Sequence, residues 1–492
     1  MSHRPSWLRA GAIGFVIVMF ATACGSEEPA PGSPTSQAPS DAPVSSGSQA
    51  TATDSASAES ASTSAEPASG STESTGSSPT PETTEPAARE EAAAGTSSIT
   101  VPTTQPSVNG DGGCPAPLDA PAIVRPVAAD NPHPPPSHLE MAVAPWPTDW
   151  SRTTIDLGEL GLGIHSIDPR DLIRPLDRPV FVDAEAAREW LSEGDPGMLV
   201  RIGDDARFYP LRVLTRHEIV NDRFGDRPVL VTYCPLCNTA VAFDPVAPDG
   251  AQLRFGVSGL LRHSDLVMWD LETTSLWQQV TGEPIVGAYA GGPALPYLPS
   301  AIVAFSEFAA SHPDGCVLGP DQEFGISYGV NPYIGYSSSS RPFLFGGELD
   351  DSLPALSRVV GVSVNNQYRA YSFDDLATRR VINDTLDEVP IAVMWGAAHT
   401  ADALDDTIIA NGRPIGTGVA FVAVSTHGPL TFDPADDDLF TDRQTQSTWN
   451  LLGQAVDGPL VGAQLEFAPH RNEFWFAWHA FFGADGELWA AS

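Results

Sequence analysis

The stretch Val229–Pro245, VLVTYCPLCNTAVAFDP, places two runs of apolar and β-branched residues on either side of a short turn. The runs Val229–Tyr233 and Thr239–Phe243 have the composition of β-strands. Cys234 and Cys237 lie between them. Because a strand and not a helix follows Cys237, the helix dipole that lowers the pKa of thioredoxin-type thiols is absent. The stretch therefore predicts a hairpin whose turn carries two thiols, able to close on each other or to share a soft metal ion.

The sequence around this hairpin recurs later in the chain at a constant offset of 162 residues. The matched positions, in chain order, are Tyr209 with Tyr371, Asn221 with Asn383, Asp222 with Asp384, and Pro228 with Pro390. An ordered series of this kind predicts two homologous tandem halves, residues 146–325 with the cysteine pair and residues 326–492 as a degenerate copy.

Each half consists mainly of short β-branched and aromatic runs that are broken by turn residues. A few short helices are expected, at residues 184–192 after the N-cap Asp183, at residues 210–216 and at residues 301–311. The pattern indicates a β-rich α+β fold.

The first 24 residues are typical of an export signal, with two arginines before an apolar run. The run ends at Ala21-Thr22-Ala23-Cys24, which resembles the bacterial lipobox apart from Ala21, where leucine is commoner. We expect residues 1–24 to be a lipoprotein signal peptide and Cys24 to carry the lipid, so that the chain is anchored to the cell membrane on its extracytoplasmic face. Simple secretion and an uncleaved anchor are the alternatives. Residues 25–145, rich in Ser, Thr, Pro, Ala and Glu, predict a disordered tether.

The formal net charge of −37 bears on the partners of the chain. A polyanion repels phosphate backbones, which argues against nucleic-acid binding. All 25 basic residues are arginines. The lack of lysine excludes Schiff-base and lysine-base chemistry.

Cysteine usage separates a structural pair from a functional pair. Beyond Cys24, the residues Cys114 and Cys316 are left over once the hairpin pair is set aside, and outside the cytosol they are expected to form a disulfide. At the offset of 162 residues, Cys234 falls on Gly396 and Cys237 on His399. A cysteine pair needed only for the fold would recur in both halves, so we expect chemistry at Cys234 and Cys237. A disulfide staple local to the first half is the alternative.

Two histidines are candidate partners of the thiols. His217 and Glu218 correspond to Arg379 and Arg380 in the second half and therefore vary together with the cysteines. His217 is expected to tune the thiol or to bind a metal, with Glu218 orienting its ring. His263 is the second candidate, with Asp265 as its orienting partner.

Three functions fit these residues. In the leading hypothesis the chain is a thiol–disulfide redox protein without a cofactor, in which Cys234 attacks, Cys237 resolves, and a redox partner protein exchanges electrons. In the second, Cys234, Cys237, His217 and His263, with Met268 within reach, bind copper or zinc. In the third, the chain is a structural or ligand-binding β-protein, and its Trp277 and Trp449 are core residues.

Several motifs resemble a known family, DUF3179, over about residues 165–485. The motifs are Cys234-Pro-Leu-Cys237, His217-Glu-Ile-Val-Asn-Asp222, Phe255-Gly-Val-Ser-Gly-Leu-Leu-Arg262, Ser275-Leu-Trp-Gln-Gln279 and Arg341-Pro-Phe-Leu-Phe345. The resemblance implies selenium chemistry in some relatives, and it therefore favours redox exchange over metal binding. It implies no particular substrate or reaction.

Overall fold

The computed structural model describes residues 113–119, 122–397 and 400–491, all of which belong to one compact unit, residues 97–492. The predicted signal peptide, most of the tether, Cys24 and His399 lie outside the described residues. No helix in the described part of the chain is long and apolar enough to cross a membrane.

The first part of the described chain forms three sheets. Its strands are β1 (Leu160–Leu162), β2 (Phe181–Asp183), β3 (Pro196–Ile202), β4 (Asp205–Pro210), β5 (Ile219–Phe224), β6 (Arg227–Cys234), β7 (Thr239–Phe243), β8 (Phe255–Arg262), β9 (Asp265–Asp270), β10 (Leu276–Gln278), β11 (Pro284–Val286), β12 (Ser300–Ala304) and β13 (Cys316–Leu318). Its helices are α1 (Glu140–Val143), α2 (Ala184–Ala187), α3 (Leu211–His217) and α4 (Phe305–Ser311). The sheets have the orders β1-β8-β9-β10-β11, β12-β3-β4-β13-β2 and β5-β6-β7.

The later part adds further small sheets. Its strands are β14 (Arg358–Val364), β15 (Gln367–Ser372), β16 (Val381–Leu386), β17 (Val389–Gly396), β18 (Thr417–Val422), β19 (Val424–Ser425), β20 (Gly428–Pro429), β21 (Phe432–Pro434), β22 (Phe440–Asp442), β23 (Thr448–Trp449), β24 (Ala455–Asp457), β25 (Glu466–Phe467), β26 (His470–Phe474) and β27 (Gly486–Leu488), with helices α5 (Phe373–Arg379) and α6 (Trp475–Phe482). Short 3₁₀ turns lie at Leu157–Glu159, Tyr336–Ser338 and Ile409–Asn411. The predicted β-rich fold with a few short helices is confirmed.

The two parts follow similar strand orders. The order β26-β14-β15-β27 parallels β12-β3-β4-β13, and β16-β17-β18 parallels β5-β6-β7. Side-chain networks match as well: Arg207 and Tyr209 both donate to Asp222, at 2.8 and 2.6 Å. The later part repeats this network with Arg369, Tyr371 and Asp384, at 2.7 and 2.8 Å. These arrangements agree with the sequence repeat, while the descent of the two halves from one ancestor stays a prediction.

The cores join the two parts. Trp277 of β10 packs in one apolar cluster with Phe474 and Phe476 from the far end of the chain. Likewise, Phe208 of β4 shares a cluster with Phe421 of β18. Because each part covers apolar surface of the other, neither buries its hydrophobic residues alone.

Two of the expected helices are shorter than predicted. The helix expected at residues 301–311 begins only at Phe305, because Ser300–Ala304 pairs with β3 as strand β12. All five residues of β12 are buried, so packing overrides the helix propensity of its alanines. The helix expected at residues 184–192 has the predicted cap, Asp183, but ends at Ala187. The third expected helix is α3, shifted by one residue.

The packed region begins before residue 146. Val143 of α1 is fully buried, in a cluster that includes Trp146 and Trp269. Further towards the N-terminus, Cys114 is joined to Cys316 by a disulfide with a Cα–Cα distance of 5.6 Å, the pairing that the sequence predicts. The disulfide fixes this N-terminal strap, residues 113–119 and 122–130, to strand β13.

Candidate functional site

The cysteine turn joins two strands of one hairpin. Strand β6 ends at Cys234 and β7 begins at Thr239, and these two residues pair with each other. Asn238 takes the left-handed backbone conformation, φ +55°, which asparagine tolerates better than most residues. Its amide donates to the carbonyl of Pro235 at 3.2 Å. The hairpin predicted from Val229–Pro245 is therefore present, with a four-residue turn.

A second hairpin turn meets the first. His263 and Ser264 both have positive φ, +52° and +67°, and they join β8 to β9 in a two-residue turn of the type that suits the twist of paired strands. The carbonyl of Ser264 accepts a hydrogen bond from the Cys234 thiol at 3.6 Å. Asp265, the first residue of β9, is thereby placed beside the cysteine turn.

Three ligand atoms converge where the turns meet. The Sγ atoms of Cys234 and Cys237 and a carboxylate oxygen of Asp265 all lie within 4.8 Å of one another. The two thiols are free and are 2% and 0% exposed. The site is a buried group of two thiols and one carboxyl.

One carboxylate oxygen of Asp265 is fixed and the other is not. Its Oδ2 accepts from the Gln278 side chain at 2.7 Å and from the Val280 amide at 3.0 Å. Its Oδ1 is buried and accepts no hydrogen bond of ordinary geometry from the described residues, although the Cys234 thiol lies close enough to lower the pKa of the carboxyl. A buried carboxylate oxygen so weakly paired is costly, and it can accept a further donor or a cation.

Gln279 holds the cysteine hairpin in place. Its side-chain oxygen accepts from the Thr239 hydroxyl at 2.9 Å, and its amide nitrogen donates to the Thr232 hydroxyl at 2.8 Å. Both threonines belong to the strands that flank the turn. Two neighbouring glutamines at the end of β10 therefore position the site. Gln278 orients the carboxyl of Asp265, and Gln279 holds the two strands that carry the thiols.

Burial disfavours charge on all three groups. It raises the pKa of Asp265 to about 6, although the hydrogen bond from Gln278 acts in the opposite direction. Burial also raises the pKa of the Cys234 thiol, and that of the Cys237 thiol well above its ordinary value. At neutral pH the two thiols therefore stay protonated, while Asp265 loses its proton at a higher pH than an exposed aspartate does.

Two further carboxyls lie close enough to act electrostatically. Glu218 is buried at the C-terminal end of α3, with φ +57°, and burial raises its pKa to about 8, with a further rise from Asp265. Burial raises the pKa of Glu473 to about 7, while its ion pair with Arg471, at 3.2 Å, opposes the shift. Among the described residues, neither Glu218 nor Asp265 forms an ion pair.

The expected role of His217 does not fit this geometry. Its Nδ1 hydrogen-bonds the carbonyl of Arg174 at 2.6 Å and its Nε2 the hydroxyl of Tyr328 at 2.7 Å. Burial lowers its pKa to about 4. Since both ring nitrogens are engaged, His217 neither tunes the thiols nor binds a metal in this arrangement, and Glu218 does not orient it. The left-handed residue 218 turns the chain away from the helix, so two sequence neighbours have different surroundings.

His263 is likewise not part of the thiol group. Its Nε2 lies 3.2 Å from Glu159, not beside Asp265, and its ring packs against Phe345 and Phe481. The two-residue turn explains the difference, because it directs the side chains of residues 263 and 265 to separate surroundings. Met268 is buried in the same apolar cluster as both cysteines.

The corresponding place in the second half carries opposite charge. There Gly396 ends β17, and Arg380, with φ +65°, caps α5 as Glu218 caps α3. The guanidinium of Arg380 forms an ion pair with Asp438. Where the second half has a balanced ion pair, the first half has the carboxyls of Glu218 and Asp265 beside two thiols.

Several residues of the site are not predicted by the sequence patterns. Asp265 is expected beside His263, and no role is expected for Gln278, Gln279 or Glu473. The two glutamines do belong to the quoted motif Ser275–Gln279, so the motif was a usable signal. No local pattern marks Glu473, which reaches the site from the far end of the chain.

Comparison with known proteins is consistent with the motifs. The model of the family described as "Protein of unknown function (DUF3179)" matches residues 170–485, which include the cysteine turn, Asp265 and Glu473. No curated protein and no solved structure gives a significant match. The match covers most of the chain, and the chain therefore belongs to the DUF3179 family.

Proposed function

We propose that the chain binds one transition-metal ion, zinc in preference to copper, through Cys234, Cys237 and Asp265. The observation that carries this proposal is the convergence of the Asp265 carboxyl with two free, buried thiols, with all three ligand atoms within 4.8 Å of one another. A tetrahedral zinc ion with Zn–S bonds of about 2.3 Å separates its sulfur ligands by about 3.7 Å. The group therefore fits around one ion with little movement.

The charge of the site supports a dication. Two thiolates and the carboxylate of Asp265 would place three negative charges in a buried region, and neither Asp265 nor Glu218 forms an ion pair among the described residues. A dication removes more of this charge than Cu(I) does, and binding would release the protons that the group otherwise holds. Three protein ligands leave a fourth position, as in catalytic zinc sites.

Thiol–disulfide exchange is the second candidate. The two free Sγ atoms lie within 4.8 Å in one short turn, close enough to form a bond after a small rotation. In that reaction Cys234 and Cys237 would lose two electrons and two protons in forming a disulfide, and a partner disulfide would be reduced to two thiols. Their burial and raised pKa values count against an attacking thiolate, so metal binding is the better-supported function.

We also propose that the chain works on the extracytoplasmic face of the cell membrane, anchored by lipid at Cys24. The signal-like residues 1–24 support this location, and the Cys114–Cys316 disulfide is typical of oxidising compartments. Metabolic labelling with palmitate tests the anchor. The label should appear on the full chain and be lost in Cys24→Ser, and a wild-type chain without label would contradict it.

Anaerobic titration with Co²⁺, a spectroscopic substitute for zinc, tests the metal site. The reduced full chain should bind one ion per chain and show a thiolate-to-cobalt charge-transfer band. Cys234→Ser should weaken the band, and Asp265→Asn should lower the affinity while keeping the band. Asp438→Asn, at the aspartate that pairs with Arg380 in the second half, is the matched control and should bind normally. A protein that binds no ion, and whose two thiols oxidise reversibly to a disulfide, would favour the second candidate.

A further inference from the structure

A long irregular segment lies next to the site. Residues 319–357 connect β13 to β14, and their regular structure is limited to the 3₁₀ turn Tyr336–Ser338. Connections of this length without strands or helices are uncommon in compact proteins and are often binding loops or lids. The motif Arg341–Phe345 lies in its middle.

Two hydroxyl groups fasten this segment to the two turns of the site. The Tyr336 hydroxyl donates to the carbonyl of Leu236, inside the cysteine turn, at 2.9 Å. The Ser264 hydroxyl donates to the carbonyl of Phe343 at 2.6 Å. Ser264 also accepts from the Cys234 thiol through its own carbonyl, so the segment and the thiol meet at one residue.

The segment is anchored at both ends, and its middle is partly exposed. On one side, the amide of Gly335 donates to Asp405 at 2.8 Å. On the other, Asp350 accepts from the Trp475 indole at 3.2 Å. Between these anchors, Phe343 and Leu344 are 52% and 47% exposed, and Leu344 has a left-handed backbone, φ +58°, which is uncommon for leucine. Phe345 packs inward against Phe476, with ring centroids 5.1 Å apart, and against His263, with ring centroids 6.0 Å apart.

We infer that residues 339–349 are a lid over Cys234 and Cys237, latched by the hydroxyls of Tyr336 and Ser264. In the closed state the two thiols are almost without exposure, so any ion, oxidant or partner thiol has to wait for an opening. The exposed middle between two anchors is the part of the covering segment that can move without breaking a strand. The inference concerns access alone and holds whether the thiols bind metal or exchange electrons.

Thiol alkylation of the reduced, metal-free full chain tests the lid. N-ethylmaleimide is applied under native conditions, and the modification of Cys234 and Cys237 is followed by peptide mass spectrometry. Tyr336→Phe and Ser264→Ala each remove one latch and should speed alkylation about threefold to tenfold, with the folding equilibrium constant falling by no more than the same factor. The matched control is Tyr289→Phe, whose hydroxyl donates to Asp249 at 3.1 Å outside the segment. It should leave the alkylation rate unchanged.

The denaturant dependence of alkylation separates lid opening from unfolding. Lid opening exposes little surface, so the wild-type rate should depend only weakly on urea below the unfolding transition. A rate with the full denaturant dependence of global unfolding would overturn the inference, as would equal rates for the wild type and both latch variants. Because no metal is present, these outcomes are independent of the metal proposal.

Discussion

Glu218 and Arg380 occupy equivalent positions at the ends of two short helices, and each acts on an aspartate, Glu218 with a carboxyl and Arg380 with a guanidinium. Each takes the left-handed conformation, and its amide donates to the helix carbonyl four residues earlier, at 2.7 Å in both cases. Arg380 neutralises Asp438, whereas Glu218 adds a carboxyl beside Asp265. In the second half, therefore, the charge of the aspartate at this position is balanced by an arginine of the chain itself.

The first prediction concerns the pH dependence of stability in the metal-free protein. Burial raises the pKa of Glu218 from 4.5 to about 8, so the folded chain holds this proton more tightly than the unfolded chain does. The contribution of Glu218 to stability is therefore complete below pH 4.5 and is lost as the pH rises through about 8. As the pH rises across that window, the free energy of unfolding of Glu218→Gln should increase relative to that of the wild type, by up to about 1.4 kcal/mol per pH unit.

Urea unfolding at a series of pH values measures this difference. Glu189→Gln, at an exposed carboxylate, is the control and should run parallel to the wild type. A Glu218→Gln curve that also runs parallel would show that Glu218 does not hold a proton in the folded state.

The second prediction concerns the second layer of the site. Gln278→Leu removes the side chain that fixes Oδ2 of Asp265 while keeping every proposed ligand. Loss of a group that orients a ligand typically lowers metal affinity by about 10-fold to 100-fold. Competition titration with a zinc chelator should show this decrease, with the stoichiometry unchanged. Equal affinities in the variant and the wild type would remove Asp265 from the ligand set.

The third prediction compares two equivalent aspartates. Asp270 accepts hydrogen bonds from Thr273, Ser275 and the indole of Trp277, and Asp442 accepts from Thr445, Ser447 and Trp449. Replacing either by alanine leaves several buried donors unpaired and should cost about 3 kcal/mol of stability, measured by chemical denaturation. Asp270→Ala should also weaken metal binding, because Trp277 packs in the cluster of the two cysteines. Asp442→Ala should not, and equal losses of affinity would contradict the assignment of the site to the first half.

The fourth prediction concerns the disulfide between Cys114 and Cys316. The bridge closes a loop with a sequence separation of 202 residues, and long closed loops restrict the unfolded chain most. The double variant Cys114→Ser, Cys316→Ser should lose about 2–4 kcal/mol of stability. The midpoint of urea unfolding measures the loss, and Cys24→Ser is the control that keeps the bridge. An unchanged midpoint would mean that the N-terminal strap can detach without lowering the stability of the remaining fold.

Much of the local structure was predictable because it depends on short-range patterns. Alternating β-branched residues around Cys234 and Cys237 indicated the hairpin, and the cap at Asp183 indicated the start of α2. The left-over cysteines indicated the bridge from Cys114 to Cys316. Each of these inferences uses residues whose chemistry leaves few alternatives.

The composition of the site was less predictable because it depends on tertiary contacts. Sequence proximity suggested that Glu218 orients His217. However, Glu218 has a left-handed backbone conformation at the end of α3, and its side chain therefore points away from that of His217. Strand β12 was expected to be helical because alanine favours helices. The burial that makes it a strand comes from distant parts of the chain, which a local pattern does not show. Asp265 reaches the thiols only because two hairpin turns happen to face each other, which no spacing rule encodes.

The amide of Phe474 donates to the carbonyl of Cys237 at 3.0 Å, so the cysteine turn is completed by a strand from near the C-terminal end. During synthesis the two thiols emerge long before that strand exists. The unfinished chain is consequently the state in which they are most open to capture by an ion or by an oxidant. When the protein is produced, the surroundings of the nascent chain therefore help to decide which form of the site is finally enclosed.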